Sequence, residues 1–322
     1  MTNDKMTVWI TRKLSRATED RAERDYKVIL NPEDRVYSAR ELIEGSRHCD
    51  AILPCHSEKF TREVVAKLSD RVKIVANHSV GVDHCDLDAF EERGIMVTNT
   101  PDVLSDATAE LTFMLLLCAA RRAGEGERLV RSGNWDSWGP NLMVGKQTTN
   151  KRLGIVGLGR VGQVVAKRAR GFDMEVHYFS TSQKSSNIEE GAIFHESLDS
   201  LLEVSQFLSL HCPSTPQTKG IMSAEKFSKL PDGAIFINAA RGDLVDEEAL
   251  ISALKSGKLA AAGLDCFRQE PGGNPELAEL ENVFMLPHIG SATVETRDAM
   301  GFRALDNIDA FFGNKKPGDR VA

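Results

Sequence analysis

An arginine, a glutamate and a histidine each follow an apolar, strand-like segment in the C-terminal half of the chain. Arg241 stands in INAARGD after GAIFIN, Glu270 in RQEP after LAAAGLD, and His288 in LPHIGS after VFML. A planar guanidinium binds a carboxylate through two parallel hydrogen bonds. An imidazole held by a carboxylate on one nitrogen donates a proton from the other. Such a set can bind a 2-keto acid and protonate its carbonyl oxygen while a nicotinamide cofactor supplies a hydride.

Each of these residues taken alone also has an ordinary structural interpretation. Arg241 would suit a surface ion pair, Glu270 a turn before Pro271, and His288 a hydrogen-bonded loop position. Ligands of open α/β sheets, however, bind outside the carboxyl ends of the strands. Because all three residues follow strands that are predicted to form one sheet, we expect them to converge at one edge of that sheet and to act together.

A glycine-rich turn, GLGRVG, lies between the apolar segment LGIV and the helical segment VGQVVAKRA. Its first glycine permits the bend, its second lets a pyrophosphate approach the backbone, and its third lets the helix pack on the strand. Phosphates bind the free N–H groups of such a helix start. The motif alone is also typical of a tight turn without a ligand, but its place between strand and helix predicts a dinucleotide site. The residues of the turn are Gly157, Leu158, Gly159, Arg160, Val161 and Gly162.

The residues after the next strand, MEVHYF, bear on the choice of cofactor. An acidic residue about 20 positions beyond the glycine turn usually binds the ribose 2′-hydroxyl of NAD. Here that place falls near Ser180, which is followed by Thr181, Ser182, Gln183 and Lys184. With no carboxylate to repel a 2′-phosphate, and with hydroxyl and ammonium groups to bind one, the segment favours NADPH over NADH. The alternative is a polar loop without this role.

Short β-branched segments alternate with helical ones in the first hundred residues. Strands are predicted at TVWIT, YKVIL, DAILP, KIVAN and IMVTN. The predicted helices are one from Ala39, with Ser38 and Glu41 as a capping box, and two near Thr61–Leu68 and Leu87–Arg93. Because parallel strands need such crossover connections, the pattern predicts a small doubly wound sheet ending near Pro101.

The alternation restarts after an irregular segment at 132–150, with strands predicted at LGIVG, MEVHYF, FLSLH, GAIFIN, LAAAGLD and VFMLP. One long helix is predicted over about Leu104–Arg131, before the irregular segment. A last amphipathic helix, over about Val294–Phe312 and closed by Gly313, is expected to pack on the first domain. The fold class is therefore α/β, with two doubly wound parallel-sheet domains.

The predicted domains follow from these elements. Residues 1–102 and 294–322 form the substrate domain, and residues 103–293 form the dinucleotide-binding domain. An arm for dimerisation is expected at about 132–150, because a loop of that length in a compact chain usually has a function or forms an interface.

Composition excludes several classes of partner. The chain has 322 residues, 40 basic and 47 acidic side chains and a net charge of −7, which disfavours nucleic acid and anionic membranes. Its most apolar segment, Leu111–Ala120, is half the length of a bilayer span. A polar N-terminus without a secretory signal indicates the cytoplasm. The six cysteines show neither CxxC nor zinc-site spacing, so we expect reduced thiols and no metal.

The motifs GLGRVG, INAARGD, AGLDCF, EP and LPHIGSAT, with SVGVDH and TPDVLSDATAE upstream, occur in the order and spacing of a known family. On these motifs the chain resembles the D-isomer-specific 2-hydroxyacid dehydrogenases, and among them the glyoxylate/hydroxypyruvate reductases, from about Ile52 to Met300. The resemblance implies a Rossmann-type cofactor domain inserted into a flavodoxin-like substrate domain. It also implies NADPH-dependent reduction of glyoxylate to glycolate and of hydroxypyruvate to D-glycerate.

The resemblance assigns the catalytic roles. It implies that Arg241 binds the substrate carboxylate, that His288 is the acid/base and that Glu270 orients His288. It further implies that Asp265 holds the nicotinamide carboxamide. The other cofactor contacts that it implies, besides Arg241 and His288 themselves, are Thr108, Cys212, Pro213, Thr218, Ala239, Ala240 and Ser291.

Two more features are interpreted through the resemblance. Backbone N–H groups of Ser79, Val80 and Gly81 would bind the substrate carboxylate, as an amide nest can; the alternative is a turn that needs glycine for its backbone freedom. Trp135 and Trp138 resemble a tryptophan pair on a dimer arm that reaches the neighbour's active site, which predicts a homodimer with Trp138 near substrate. The alternative is packing within one chain.

Two other functions remain open on the sequence. One is a sister dehydrogenase that acts on a larger keto acid or on phosphoglycerate. The other is a dinucleotide-sensing, corepressor-like binding module, which can keep the same three catalytic residues. Turnover of a small 2-keto acid distinguishes the enzyme from the binding module.

Overall fold

The computed structural model describes residues 5–322, which fall into two units with one parallel sheet each. One unit comprises Met1–Leu104 and Ala292–Ala322, and the other comprises Ser105–Ser291. These limits differ by two residues from the domain limits expected from the sequence. We call them the first and the second unit.

The first unit holds a five-stranded sheet. Its strands are β1 (Thr7–Ile10), β2 (Lys27–Ile29), β3 (Ala51–Leu53), β4 (Ile74–Ala76) and β5 (Met96–Thr98), and the helices between them are α1 (Arg16–Asp25), α2 (Ala39–Gly45), α3 (Arg62–Lys67) and α4 (Leu87–Glu92). The strand order is β2-β1-β3-β4-β5 with every pair parallel. This is the flavodoxin-type order.

The second unit begins with two helices and then builds a seven-stranded sheet. The helices are α5 (Ser105–Ala120), α6 (Ala123–Arg131), α7 (Arg160–Gly171), α8 (Ser186–Glu189), α9 (Leu198–Val204), α10 (Ala224–Lys229), α11 (Glu247–Lys255) and α12 (Pro275–Ala278). The strands are β6 (Arg152–Val156), β7 (Glu175–Phe179), β8 (Ile193–His195), β9 (Phe207–Leu210), β10 (Ala234–Asn238), β11 (Leu259–Leu264) and β12 (Val283–Met285). Their order, β12-β11-β10-β9-β6-β7-β8, contains the Rossmann arrangement with one added edge strand.

The last helix, α13 (Val294–Phe312), belongs to the first unit. It buries Ala304, Leu305 and Ile308 in one core cluster with residues of β1, β3 and β4, and Gly313 follows it as the C-cap. The chain then reaches the edge strand β5, where the Val97 N–H donates to the Ala322 carbonyl over 3.0 Å. This pairing satisfies backbone groups that an open sheet edge would expose.

The sequence forms these elements for local reasons. The central strands β3, β4, β9 and β10 are buried along their whole length, as strands covered on both faces require. Polar side chains cap the starts of most helices, among them α1, α3 and α11, which satisfies N–H groups without an intrahelical partner. The predicted capping box of Ser38 and Glu41 is present at α2.

The prediction of one long helix over Leu104–Arg131 is wrong in one respect, because this segment forms two helices, α5 and α6. Arg122 has a φ of 54°, which is left-handed and ends α5. The segment after α6 returns to this point, where the Lys146 N–H donates to the Ala120 carbonyl over 2.7 Å and Gly145 leaves no room for a side chain. A distant contact thus replaces the next intrahelical hydrogen bond.

The sequence pattern also missed the polar helix α1 and the short elements α8, β8 and α12. Helix α1 carries almost no apolar residues, so periodicity could not reveal it. The irregular segment after α6 is confirmed, since no helix or strand lies between α6 and β6. The cysteines are free thiols, three buried and three half-buried. Within residues 5–322 no helix has the length and apolarity needed to span a bilayer.

Candidate active site

The glycine turn lies where the strand order of the second unit reverses. Strand β6 pairs with β7 on one side and β9 on the other, and ligands bind at such switch points. Gly157 follows β6 with a φ of +99°, and a Cβ there would lie 2.8 Å from the Cys212 nitrogen after β9. Only glycine allows this left-handed backbone together with the close approach of the two strand ends.

The other two glycines fit the roles expected for a pyrophosphate cradle. A Cβ at Gly162 would clash with the Gly157 carbonyl oxygen, so this glycine lets α7 pack on the turn. A Cβ at Gly159 would meet no atom within 4 Å. Helix α7 starts there without a side-chain cap, and the N–H groups of its first turn have no intrahelical acceptor. The open approach and the helix start suit a pyrophosphate. Leu158 is buried, so only its backbone can take part.

The segment after β7 contacts the glycine turn. The Leu158 N–H donates to Ser180 Oγ over 2.9 Å, while Thr181 and Ser182 are exposed. Ser180 is half-buried and its hydroxyl hydrogen remains available to a ligand. The residues that the sequence assigned to the ribose region therefore lie beside the turn, with no carboxylate at the Ser180 position.

Glu270 and His288 form a close side-chain pair in the candidate site. Glu270 Oε2 lies 2.6 Å from His288 Nδ1, while Glu270 Oε1 accepts a hydrogen bond from the Phe267 N–H over 2.8 Å. With Nδ1 bound to the carboxylate, the other ring nitrogen is the one that can face a ligand. His288 has a φ of 54°, and such strained backbone is typical of functional sites.

Asp265 holds the backbone that follows His288. Its two carboxylate oxygens accept hydrogen bonds from the Ile289 and Gly290 N–H groups, each over 2.8 Å. Burial raises the pKa of the Asp265 carboxyl, and the nearby Glu270 charge adds to this effect. The Thr108 side chain would lie 3.5 Å from a Cβ at Gly290, so Thr108, at the start of α5, lines the same cluster.

The loop with Arg241 abuts the loop with Glu270. A Cβ at Gly242 would overlap the backbone of Phe267, so the glycine lets the two loops touch. The half-buried Arg241 donates from its guanidinium to the Ala240 carbonyl over 2.8 Å, and its own carbonyl accepts from Asn238 Nδ2.

The charges of this cluster act on the buried thiol of Cys266. Burial raises the pKa of its thiol well above the ordinary value; the charge of Glu270 raises it further and that of Arg241 lowers it. Both charges therefore lie close to one buried atom. The structure thus brings together the loops of all three residues that the sequence singled out.

The remaining cofactor residues predicted from the resemblance line the ends of β9 and β10. Cys212 and Pro213 follow β9, and burial raises the pKa of the Cys212 thiol to about 11. Thr218 uses its hydroxyl within its own loop, donating to the Pro213 carbonyl over 2.6 Å. Two half-buried alanines, Ala239 and Ala240, follow β10, and the half-buried Ser291 ends the second unit.

The predicted amide nest lies at the end of β4 in the first unit. Within residues 5–322, the N–H groups of Ser79, Val80 and Gly81 donate to no protein acceptor. The loop itself is fixed, because Ser79 Oγ donates to the Gly81 carbonyl over 2.7 Å and Asn99 Nδ2 to the Val80 carbonyl over 2.9 Å. Three free amides in a fixed loop suit a carboxylate.

Sequence reasoning missed two residues that shape the site. Gly242 was quoted only as part of a motif, and Glu247, at the start of α11, was not singled out. Glu247 accepts hydrogen bonds from the Arg268 N–H over 2.8 Å and from Asn274 Nδ2 over 3.0 Å. No sequence signal points to these contacts, because the partners are separated by more than twenty positions.

Known proteins share this architecture. Residues 113–290 match the family model for the NAD-binding domain of D-isomer specific 2-hydroxyacid dehydrogenases. The chain is 46% identical over 311 residues to a glycerate dehydrogenase of Hyphomicrobium methylovorum, covering 96% of this chain and 97% of that protein. It is 41% identical over 311 residues to a glyoxylate reductase of Pyrococcus furiosus, covering 95% and 92%.

A solved structure shows the same fold. The NADPH-dependent glyoxylate/hydroxypyruvate reductase of Sinorhizobium meliloti, in complex with NADP and malonate, superposes with a TM-score of 0.88 at 30% identity and covers 99% of this chain and 97% of that chain. The predicted fold class and the predicted nicotinamide cofactor are confirmed by these relatives. The chain therefore belongs to the D-isomer-specific 2-hydroxyacid dehydrogenase family and is an oxidoreductase with a Rossmann-type NAD-binding domain.

Proposed function

We propose that this enzyme reduces glyoxylate to glycolate and hydroxypyruvate to D-glycerate, with NADPH as the preferred cofactor. The observation that carries the proposal is the 2.6 Å contact between Glu270 and His288 at the carboxyl edge of the second sheet. The relatives named glycerate dehydrogenase and glyoxylate reductase support the substrate class.

The chain's own residues account for the proton and the charges. A nicotinamide cofactor held at the glycine turn of Gly157–Gly162 would supply, when bound, the hydride that reduces the keto carbon. His288 donates a proton to the carbonyl oxygen of the substrate, and Glu270 orients the imidazole ring. Arg241 binds the substrate carboxylate and polarises the carbonyl. The free amides of Ser79–Gly81 are the second group proposed to bind the carboxylate.

The preference for NADPH rests on the residue that follows β7. Ser180 provides a hydroxyl where a carboxylate would favour NAD, and exposed Thr181 and Ser182 add two more hydroxyls. A 2′-phosphate gains hydrogen bonds from such groups. The S. meliloti reductase, described as NADPH-dependent, supports this choice.

The enzyme is proposed to act as a homodimer through the arm at 132–150. Trp135 and Trp138 are 53% and 78% exposed, and Leu142 and Val144 are also exposed. Contiguous exposed apolar side chains mark interaction sites, and tryptophan is enriched at interfaces. Trp138 is proposed to reach the partner's substrate. Residence in the cytoplasm stays a prediction of the sequence.

The test is a substrate and cofactor panel with a histidine variant. We expect NADPH oxidation with glyoxylate and hydroxypyruvate, and weak activity with phosphohydroxypyruvate. His288→Gln should lower kcat by a factor on the order of 10² or more while NADPH still binds. His48→Gln, at an exposed position of the first unit, is the control. Absence of turnover in the native enzyme would instead support a binding module.

A further inference from the structure

The loop that carries Glu270 is attached at two points to one residue of a neighbouring helix. Glu247 Oε1 accepts from the Arg268 N–H over 2.8 Å, and Glu247 Oε2 accepts from Asn274 Nδ2 over 3.0 Å. These points lie on either side of Glu270 in the chain. One carboxylate therefore joins the beginning and the end of the loop at 267–274.

Glu247 is itself held on a rigid element. It is the first residue of α11, which Asp246 caps by accepting from the N–H groups of Glu248 and Ala249 over 3.1 and 3.2 Å. Leu250 and Leu254 of the same helix are buried in the core of the second unit. A helix N-terminus also favours a negative charge. The carboxylate thus has a fixed position from which to hold the loop.

The loop between these two points has little packing of its own. Residues 268–272 are exposed, and the loop closes on itself through the Gly273 N–H, which donates to the Gln269 carbonyl over 3.0 Å. Exposed segments with few buried contacts open at low free-energy cost. The 2.6 Å contact of Glu270 with His288, by contrast, tolerates little displacement.

We propose that Glu247 is a positioning residue for the Glu270–His288 pair. It acts through the loop at 267–274, which its two hydrogen bonds fix so that the Glu270 carboxylate meets the imidazole. The role rests on the proposed function, in which His288 is the proton donor. Because a displacement of about 1 Å can cost on the order of 10² in rate, a residue that only holds the loop can still limit kcat.

The test compares substitutions at two adjacent glutamates of α11. Glu247→Ala should lower kcat about 10- to 100-fold and leave KM for NADPH within about twofold. Glu247→Gln keeps one acceptor and should show an intermediate loss. Glu248→Ala, at an exposed position one residue further on, should behave like the native enzyme.

A double-mutant cycle separates positioning from general stability. If Glu247 acts through Glu270, Glu247→Ala should cause no further loss of kcat in a Glu270→Gln background. A loss of equal size in both backgrounds, or a native kcat in Glu247→Ala, would overturn the proposal. Failure of the proposed function shows elsewhere, as an absence of keto-acid reduction in the native enzyme or as full activity in His288→Gln.

Discussion

At the scale of single residues, the candidate site is defined by carboxylates that hold donors in place. One oxygen of Glu270 accepts from a loop amide, and the other contacts His288. The two oxygens of Asp265 accept from the two backbone amides that follow His288. The imidazole is therefore held by its ring and by its strained backbone. This preorganisation is what an acid needs if it is to donate a proton without first rearranging.

Cofactor choice is a prediction about one residue. Ser180→Asp should lower kcat/KM for NADPH relative to NADH by at least about tenfold, because a carboxylate repels the 2′-phosphate and binds a 2′-hydroxyl. An Asp oxygen can still accept the Leu158 N–H that Ser180 Oγ accepts now, so the glycine turn should persist. Kinetics with both cofactors measures the ratio.

The control for this substitution places the same charge elsewhere. Ser185→Asp lies at the start of α8, where the serine makes no capping hydrogen bond. We expect its cofactor ratio to stay near that of the native enzyme. An unchanged ratio in Ser180→Asp would contradict the assignment of this position to the ribose.

At the scale of elements, the site depends on loops that follow separate strands and touch each other. Gly242 begins a 3₁₀ turn over Gly242–Leu244 and lies against the backbone of Phe267. Arg241 precedes it and Glu270 follows Phe267 by three positions. The contact of two backbones sets the distance between the guanidinium loop and the carboxylate loop more directly than any side chain does.

Gly242→Ala should therefore damage catalysis as well as stability. The added Cβ overlaps backbone atoms that cannot rotate away, so one loop must move. We expect a loss of kcat on the order of 10² and a loss of roughly 1–3 kcal/mol in the free energy of unfolding. Steady-state kinetics and urea unfolding measure the two effects.

The matched control is Gly171→Ala at the end of α7. A Cβ there meets nothing within 4 Å, and the position has no positive φ, so kcat should be unchanged. Native kcat in Gly242→Ala would show that the contact between the two loops has no part in positioning them.

At the scale of the whole molecule, two histidines with lowered pKa values link stability to pH. Burial lowers the pKa of His78 in the first unit and of His211 in the second to about 4, from 6.5. Between pH 4 and pH 6.5 the unfolded chain binds more protons than the folded protein does. The free energy of unfolding therefore has its full value above about pH 6.5 and falls as the pH drops toward 4. Each histidine should lower the free energy of unfolding by about 2 kcal/mol at pH 5 relative to pH 7.

Urea unfolding at pH 7 and pH 5 measures this loss. His211→Gln should reduce the pH dependence, because Gln does not titrate and its amide can replace the 2.8 Å contact of His211 with Ser209. His48→Gln, at an exposed position, should leave the pH dependence of the free energy of unfolding unchanged. Equal pH dependence in the native protein and in His211→Gln would refute the assignment.

Assembly is the second prediction at this scale. Trp138→Ser combined with Trp135→Ser should convert a dimer to a monomer in sedimentation equilibrium, because the arm loses its largest exposed apolar surface. Val36→Ser removes an exposed apolar side chain of the first unit and should leave the dimer intact. A native enzyme that sediments as a monomer would rule out the proposed assembly.

The amino-acid sequence by itself determined the elements and the identity of the chemical groups. Apolar strands, capping residues such as Ser38 and the GLGRVG turn are local signals, because their causes lie within a few neighbouring positions. They predicted both sheets, and the motifs placed Arg241, Glu270 and His288 at strand ends.

Tertiary structure decided what depends on residues far apart in the chain. The break between α5 and α6 depends on Lys146 reaching the carbonyl of Ala120, and the loop contact at Gly242 depends on Phe267. The hydrogen bonds between Glu247 and the loop that carries Glu270 form only when α11 and β11 are packed side by side. Periodicity and motif spacing carry no information on such approaches, since they arise from the packing of one element against another.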